Sequence, residues 1–127
     1  MSLLIKGGRV VDSASGIDEI LDIFIKGEKI VKLGKNINLS TKKIIDATDS
    51  IVIPGLIDMH THLRDPGRED EETIRSGTLA AAKGGFTTVC CMPNTSPVID
   101  DPSLVDYILR TSKKGRSGRN FAHSCYY

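Results

Sequence analysis

Residues 54–67 read PGLIDMHTHLRDPG, and this stretch decides how the rest of the chain is interpreted. A proline–glycine pair opens an apolar run that ends in two histidines spaced two residues apart. If residues 56–63 form an extended strand, alternate side chains lie on the same face. That face carries four polar or charged residues, Asp58, His60, His62 and Arg64. Such a face is costly on an apolar strand unless something occupies it.

A metal ion is the simplest occupant of this polar face. Neutral imidazoles at positions i and i+2 of a strand can both reach one zinc ion at about 2.0–2.1 Å, so His60 and His62 are candidate ligands. Arg64 carries a planar guanidinium suited to binding a carboxylate. Asp58 either orients a histidine or supports the strand, and the pattern leaves both possibilities open. The stretch therefore predicts half of a metal site beside a clamp for an anionic substrate.

The composition excludes several other classes of protein. A chain of 127 residues, 39% hydrophobic and 26% charged, has the size and balance of a soluble domain. The net charge of +1 offers no reason to expect a nucleic acid or a membrane as partner. No apolar run approaches the roughly 20 residues of a membrane span. Three cysteines do not make a disulfide framework, and the N-terminal residues do not resemble a signal peptide, so we expect a cytoplasmic protein.

Residues 1–53 predict a small all-β unit without a catalytic cluster. Alternating apolar residues and polar turns indicate a run of short strands, and Gly7-Gly8 is typical of a hairpin. The predicted strands cover residues 3–12, 20–25, 30–33, 43–46 and 50–53.

From Pro54 onward the pattern changes to alternating strands and helices. A helix is predicted over 71–83 because acidic residues crowd its start, Lys83 lies in its last turn and two glycines follow it. The β-branched run 86–92 is typical of a buried parallel strand, and a second helix begins at Pro102 with Asp101 as its N-cap. In such a sheet the functional side chains gather at the carboxyl ends of the strands. The two histidines close the first strand and Asn94 follows the second, so both predicted sets lie on one rim.

Residues 54–97 resemble the amidohydrolase superfamily and, within it, the class I dihydroorotases. The likeness runs through PGLIDMHTHLRDPG, then AAAKGGFTTV at 80–89 and MPNTSP at 92–97. It implies an α/β fold, the N-terminal part of a (β/α)8 amidohydrolase barrel preceded by part of a small β-sandwich. The implied domains are a partial sandwich over 1–53, the first two βα units over 54–116 and an aberrant tail over 117–127.

The resemblance also implies a reaction, the reversible hydrolysis of dihydroorotate to N-carbamoyl-L-aspartate in pyrimidine biosynthesis. His60 and His62 would bind the more buried of two zinc ions, while His62, Arg64 and Asn94 would contact the substrate. Zinc would polarise the amide carbonyl and lower the pKa of a bound water to about 7. No catalytic acid or base is assigned in this chain.

Two other functions remain open at this point. One is an allantoinase or hydantoinase, although Arg64 and the MPNT sequence at 92–95 favour a dihydroorotase. The other is a non-catalytic dihydroorotase-like protein that assembles with aspartate transcarbamoylase. A homo-oligomer is also possible.

The length of the chain limits what these residues can do. A (β/α)8 barrel needs about 250 residues, so we expect a truncated chain with at most a weak partial zinc site and no turnover alone. The tail does not resemble a third barrel strand. If the codons from Asn120 onward are read one base later, they can spell Ile-Leu-Pro-Ile-Ala-Ala-Ile-Thr, which is similar to that strand. We therefore hypothesise a frameshift near residue 120, which the coding DNA would test.

Overall fold

In the computed structural model, residues 1–114 and 124–126 are described, and the chain divides into two units, Met1–Pro54 and Gly55–Tyr127. The first unit contains one sheet with the strand order β3-β2-β1-β4, and β5 also pairs with β1. β1, β2 and β3 form an antiparallel meander, whereas β4 and β5 run parallel to β1. Each predicted strand is present, with these bounds: β1 Ser2–Asp12, β2 Ile17–Lys26, β3 Lys29–Gly34, β4 Ile44–Asp46 and β5 Ile51–Val52.

The hairpin prediction at Gly7-Gly8 is wrong. β1 continues through both glycines, and the register against β2 shifts between Ile5 and Gly8, as at a β-bulge. Gly7 has a φ of +70°, which glycine adopts without a steric penalty. The same residue type that favours a turn therefore serves here to bend a continuous strand.

A buried carboxylate holds this bulge in place. Asp22 is only 6% exposed, and its two oxygens accept hydrogen bonds from the backbone N–H groups of Gly7 at 2.9 Å and Ile37 at 2.8 Å. Without Asp22, both N–H groups would lack a hydrogen-bond acceptor in a region with little access to water. Asp22 thus joins the bulge to the loop after β3.

The second unit is a parallel sheet with the strand order β6-β7-β8. Its elements are β6 Leu56–Thr61, α1 Ile74–Lys83, β7 Phe86–Cys91, α2 Pro102–Lys114 and β8 Ser124–Tyr126. The predicted parallel pairing of the two main strands is confirmed. Asp101 also acts as predicted, since its carboxylate accepts the N–H of Ser103 at 2.7 Å at the start of α2.

Two predicted boundaries in this unit are wrong. β6 ends at Thr61 rather than at residue 63, and its register against β7 shifts between Asp58 and Thr61. α1 begins at Ile74, because Thr73 and Ser76 form a capping box that satisfies the first backbone donors. The acidic residues that suggested an earlier start lie in the loop before the helix.

The tail also differs from expectation. Residues Ser124–Tyr126 pair in parallel with β7, from Thr88 to Cys90, and so occupy the position of a third strand. The remaining tail residues, 115–123 and 127, lie outside the described part of the chain, as do His123 and Asn120, where the frameshift hypothesis places the break.

The core of the second unit lies between the sheet and its helices. It consists of Leu63, Ile74, Val89, Cys91 and Ile108. Leu63 directly follows His62, so the first residue after the histidine pair already belongs to the core. None of the helices in the described part of the chain combines the length and the apolar character that a membrane span requires.

Candidate metal and substrate site

The carboxyl ends of β6 and β7 meet at one rim of the sheet, as the sequence predicts. Pairing extends past β7, because the Met92 N–H donates to the Thr61 carbonyl at 2.8 Å. The Thr61 hydroxyl also donates to the carbonyl of Cys90 at 2.9 Å. These bonds bring His62, which follows β6, beside Asn94, which follows β7.

His60 and His62 lie side by side at this rim. Their ring centroids are 5.2 Å apart and the rings are inclined at 67°. With Zn–N at about 2.05 Å and about 1.15 Å from nitrogen to centroid, two imidazoles on a tetrahedral ion have centroids about 5.2 Å apart. The separation of the two rings therefore fits two ligands of one zinc ion. Both side chains are exposed and so accessible to an ion.

Asn94 sets the chemistry of the His62 ring. Its Oδ1 lies 2.8 Å from His62 Nδ1, and an amide oxygen can only accept, so Nδ1 carries the proton. Nε2 then keeps its lone pair, as a metal ligand requires. Because Oδ1 is used in this way, the Asn94 amide N–H groups stay available to donate to an anion.

Asp58 does not orient either histidine ring through a hydrogen bond. Its Oδ1 accepts the backbone N–H of His60 at 3.0 Å, so the carboxylate supports the irregular end of the strand. Among the described residues, no group of three or more histidine, cysteine, aspartate or glutamate side chains could hold a metal ion. The described donors thus fit two ligands and leave a site incomplete.

Arg64 is not presented in the way the strand alternation predicts. Its backbone lies in the left-handed region with φ of +61°, so it no longer belongs to the extended chain that carries the histidines. Its neighbours Leu63 and Asp65 are both buried, which holds this conformation from either side. The Arg64 Nε lies 3.5 Å from Glu71 Oε2, and both side chains are 43% exposed.

Asp65 is a buried residue that the sequence reasoning missed. It is 6% exposed, its Oδ2 accepts the N–H of Ile74 at 3.1 Å and its Oδ1 accepts the hydroxyl of Tyr107 at 2.9 Å. The hydrogen bond to Asp65, followed by desolvation, raises the pKa of Tyr107 above its usual value. An aspartate within a charged loop gives no local signal of burial, so only the tertiary structure identifies it.

Solved structures place this fold among the amidohydrolases. An L-hydantoinase (dihydropyrimidinase) from Arthrobacter aurescens aligns with a TM-score of 0.77 and 27% identity, over 87% of this chain and 24% of that one. The atrazine chlorohydrolase TrzN from Arthrobacter aurescens TC1, solved in complex with zinc, aligns with a TM-score of 0.56 and 27% identity, over 71% of this chain and 28% of that one. The chain therefore has the N-terminal part of the amidohydrolase fold, as the sequence predicts.

Sequence comparison then identifies the family. Residues 49–117 match the family model described as dihydro-orotase-like, which covers more than half of the chain, and the chain belongs to this family. The dihydroorotase of Geobacter metallireducens is 55% identical over 114 residues, 89% of this chain and 27% of that protein. The chain thus spans about a quarter of the length of the curated relatives that it matches.

Proposed function

We propose that this chain contributes the first metal ligands and the substrate carboxylate clamp of a dihydroorotase, which interconverts dihydroorotate and N-carbamoyl-L-aspartate. The observation that carries the proposal is 55% identity to a dihydroorotase, compared with 27% to the hydantoinase of the same fold. The hydantoinase likeness is that of a distant relation, so the alternative of an allantoinase or hydantoinase is less well supported.

The geometry of the rim supports a different role for the histidines and for Asn94. His60 and His62 would hold zinc, which when bound polarises the substrate carbonyl and activates water. Asn94 keeps His62 in the tautomer that can bind the metal and leaves its amide N–H groups available to donate to substrate oxygen atoms. We assign no catalytic acid or base to the described residues.

Arg64 would form the second contact to the substrate carboxylate. Its present partner is Glu71 at 3.5 Å, in a half-exposed ion pair of the kind that contributes about 0–1 kcal/mol. A substrate carboxylate that accepts two N–H groups of a guanidinium forms a stronger, bidentate contact. Replacing the Glu71 carboxylate with the substrate carboxylate as the partner of Arg64 therefore costs little free energy.

The location and partners remain part of this proposal. A cytoplasmic protein is consistent with the cysteine usage, and the near-neutral charge supports a small-molecule substrate rather than a nucleic acid or a membrane. Assembly with itself or with aspartate transcarbamoylase is also a proposal, for which co-purification is the direct test.

A chimaeric enzyme tests the proposed function. In the Geobacter metallireducens dihydroorotase, the segment that matches this chain is replaced by residues 1–114, and hydrolysis of dihydroorotate, hydantoin and allantoin is measured with added zinc. We expect activity on dihydroorotate. Arg64→Ala should raise the KM, whereas Arg68→Ala is the matched control, because Arg68 pairs with Asp70 and Glu71 within the same loop.

Three outcomes would contradict the proposal. The first is a folded chimaera that prefers hydantoin or allantoin. The second is undiminished activity after His60→Ala, which would remove the need for that ligand. The third is an equal effect of the two arginine substitutions, since the loop charge rather than a specific clamp would then be responsible.

A further inference from the structure

The proposed function leaves the buried carboxylate of Asp65 without a role. This side chain directly follows the predicted clamp residue Arg64 and faces two donors from different elements. One is the N–H of Ile74 at the start of α1, and the other is the hydroxyl of Tyr107 in the middle of α2. The loop that carries the clamp is therefore fastened to both helices of the unit.

A second bond fastens the same loop to the loop that carries Asn94. The backbone N–H of Ser96 donates to the carbonyl of Pro66 at 3.2 Å. The two backbones approach so closely that a Cβ on Gly67 would lie 2.0 Å from the Ser96 carbonyl oxygen. Gly67 also has a φ of +104°, which excludes most other residues.

These contacts constrain the loop that carries Arg64 relative to the loop that carries Asn94. Arg64 has a left-handed backbone that costs about 1–2 kcal/mol for a residue other than glycine, and this conformation persists only if its surroundings impose it. Leu63 on one side is held by the apolar core. Asp65 on the other side is held by its two hydrogen bonds, and the Arg64 carbonyl accepts the N–H of Arg68 at 2.9 Å, so loss of an Asp65 bond removes one of the constraints on the Arg64 backbone.

We propose that Tyr107 and Asp65 are positioning residues for the substrate carboxylate. Through the 2.9 Å bond between them, α2 maintains the loop conformation in which Arg64 and Asn94 can bind one carboxylate together. The inference rests on the proposed function, because it requires Arg64 and Asn94 to be ligands of that group. It adds a residue of α2 that lies outside the rim to the determinants of substrate binding.

The experiment uses the isotopically labelled chain itself, with Tyr107→Phe as the test variant. Ser112→Ala is the matched control, because it also removes a hydroxyl from α2, one that donates to the Leu109 carbonyl at 3.0 Å. Binding of N-carbamoyl-L-aspartate and of zinc is followed separately by NMR titration. The heteronuclear NOE of the Arg64 Nε–Hε group, measured without ligand, reports whether the side chain has become mobile.

We expect Tyr107→Phe to lower the Arg64 NOE and to weaken N-carbamoyl-L-aspartate binding about three- to tenfold, while zinc binding to His60 and His62 stays unchanged. Ser112→Ala should behave like the unaltered chain in each measurement. A merely structural role for Tyr107 would lower the melting temperature of Tyr107→Phe and leave the Arg64 NOE unchanged. An unchanged NOE, or equal weakening of zinc and N-carbamoyl-L-aspartate binding, overturns the inference.

Arg64→Ala separates failure of the inference from failure of the proposed function. If Arg64→Ala abolishes N-carbamoyl-L-aspartate binding and Tyr107→Phe does not weaken it, only the positioning role is wrong. If the unaltered chain binds no N-carbamoyl-L-aspartate, or binds it as well after Arg64→Ala, the proposed clamp is wrong and the inference falls with it.

Discussion

The hydrogen bond between Asn94 and His62 makes a quantitative prediction about zinc affinity. Asn94→Ala removes the acceptor from Nδ1–H, so the ring is free to rotate and to populate the other tautomer. Partners of metal-bound histidines typically contribute 10- to 100-fold in affinity. A neutral hydrogen bond contributes about 0.5–1.5 kcal/mol, or roughly two- to twelvefold. Because both side chains are exposed, we expect the smaller range, a loss of about three- to tenfold.

Asn94→Asp separates the acceptor from the rest of the side chain. A carboxylate keeps an oxygen for Nδ1–H and adds a negative charge, so zinc affinity should equal or exceed that of the unaltered chain. The same variant loses the amide N–H donors, so binding of N-carbamoyl-L-aspartate should fall. Asn94 would then be shown to serve the metal through its oxygen and the substrate through its nitrogen.

The assay is a zinc titration in competition with a chromophoric chelator at pH 7.5, combined with NMR assignment of the His62 tautomer. Thr95→Ala is the matched control, because the Thr95 hydroxyl donates to the Pro97 carbonyl at 2.7 Å and does not bond to His62. His60→Ala defines the affinity that remains with one histidine. The reasoning is refuted if Asn94→Ala binds zinc as tightly as the unaltered chain, or if Asn94→Asp weakens zinc as much as Asn94→Ala.

Four further predictions concern stability. Asp22→Ala should lower the free energy of unfolding by about 2–4 kcal/mol in urea titrations, since two backbone N–H groups lose their acceptor; a loss below about 1 kcal/mol would contradict this. Arg64→Gly should be about 1 kcal/mol more stable than Arg64→Ala in the same assay, because glycine tolerates a φ of +61°, and equal stabilities would argue against a left-handed backbone. Gly67→Ala should cost about 2 kcal/mol or more, because its Cβ would clash with a backbone oxygen 2.0 Å away; a thermal melt like that of the unaltered chain would exclude the close approach. The hydrogen bond to Asp65 raises the pKa of Tyr107 in the folded state, so the contribution of Tyr107 to the free energy of unfolding is complete below about pH 10 and is lost as the pH rises through the folded pKa. Tyr107→Phe should flatten this alkaline decline in stability. An unchanged pH profile of stability would refute the bond.

Much of the fold could be predicted from local patterns. Strand and helix periods, the proline–glycine break at residues 54–55 and the Asp101–Pro102 helix start depend on neighbours in sequence, and the structure reproduces these elements. The wrong predictions concern places where one local sequence pattern is compatible with two structures. Gly7-Gly8 suits a hairpin or a bulge, and a run of acids suits a first helical turn or the loop before it.

The histidine pair was predictable for a similar reason. Residues at i and i+2 of an extended chain lie on the same side, so the sequence predicts that His60 and His62 are neighbours, as the structure shows. Their roles as zinc ligands, and those of Arg64 and Asn94 as substrate ligands, stay predictions. The order of strands and helices also placed Asn94 on the same rim as the histidines, because parallel strands end at one edge.

The alternating elements, the histidine pair and the shared rim thus follow from short-range periodicity in the sequence. The bond between His62 and Asn94, the left-handed backbone of Arg64 and the burial of Asp65 against Tyr107 are seen only in the folded chain. These features join residues 32 to 42 positions apart, or depend on what such contacts impose on the backbone. Which side chains pair over that distance depends on packing in three dimensions, and the periodicity of the sequence does not determine it.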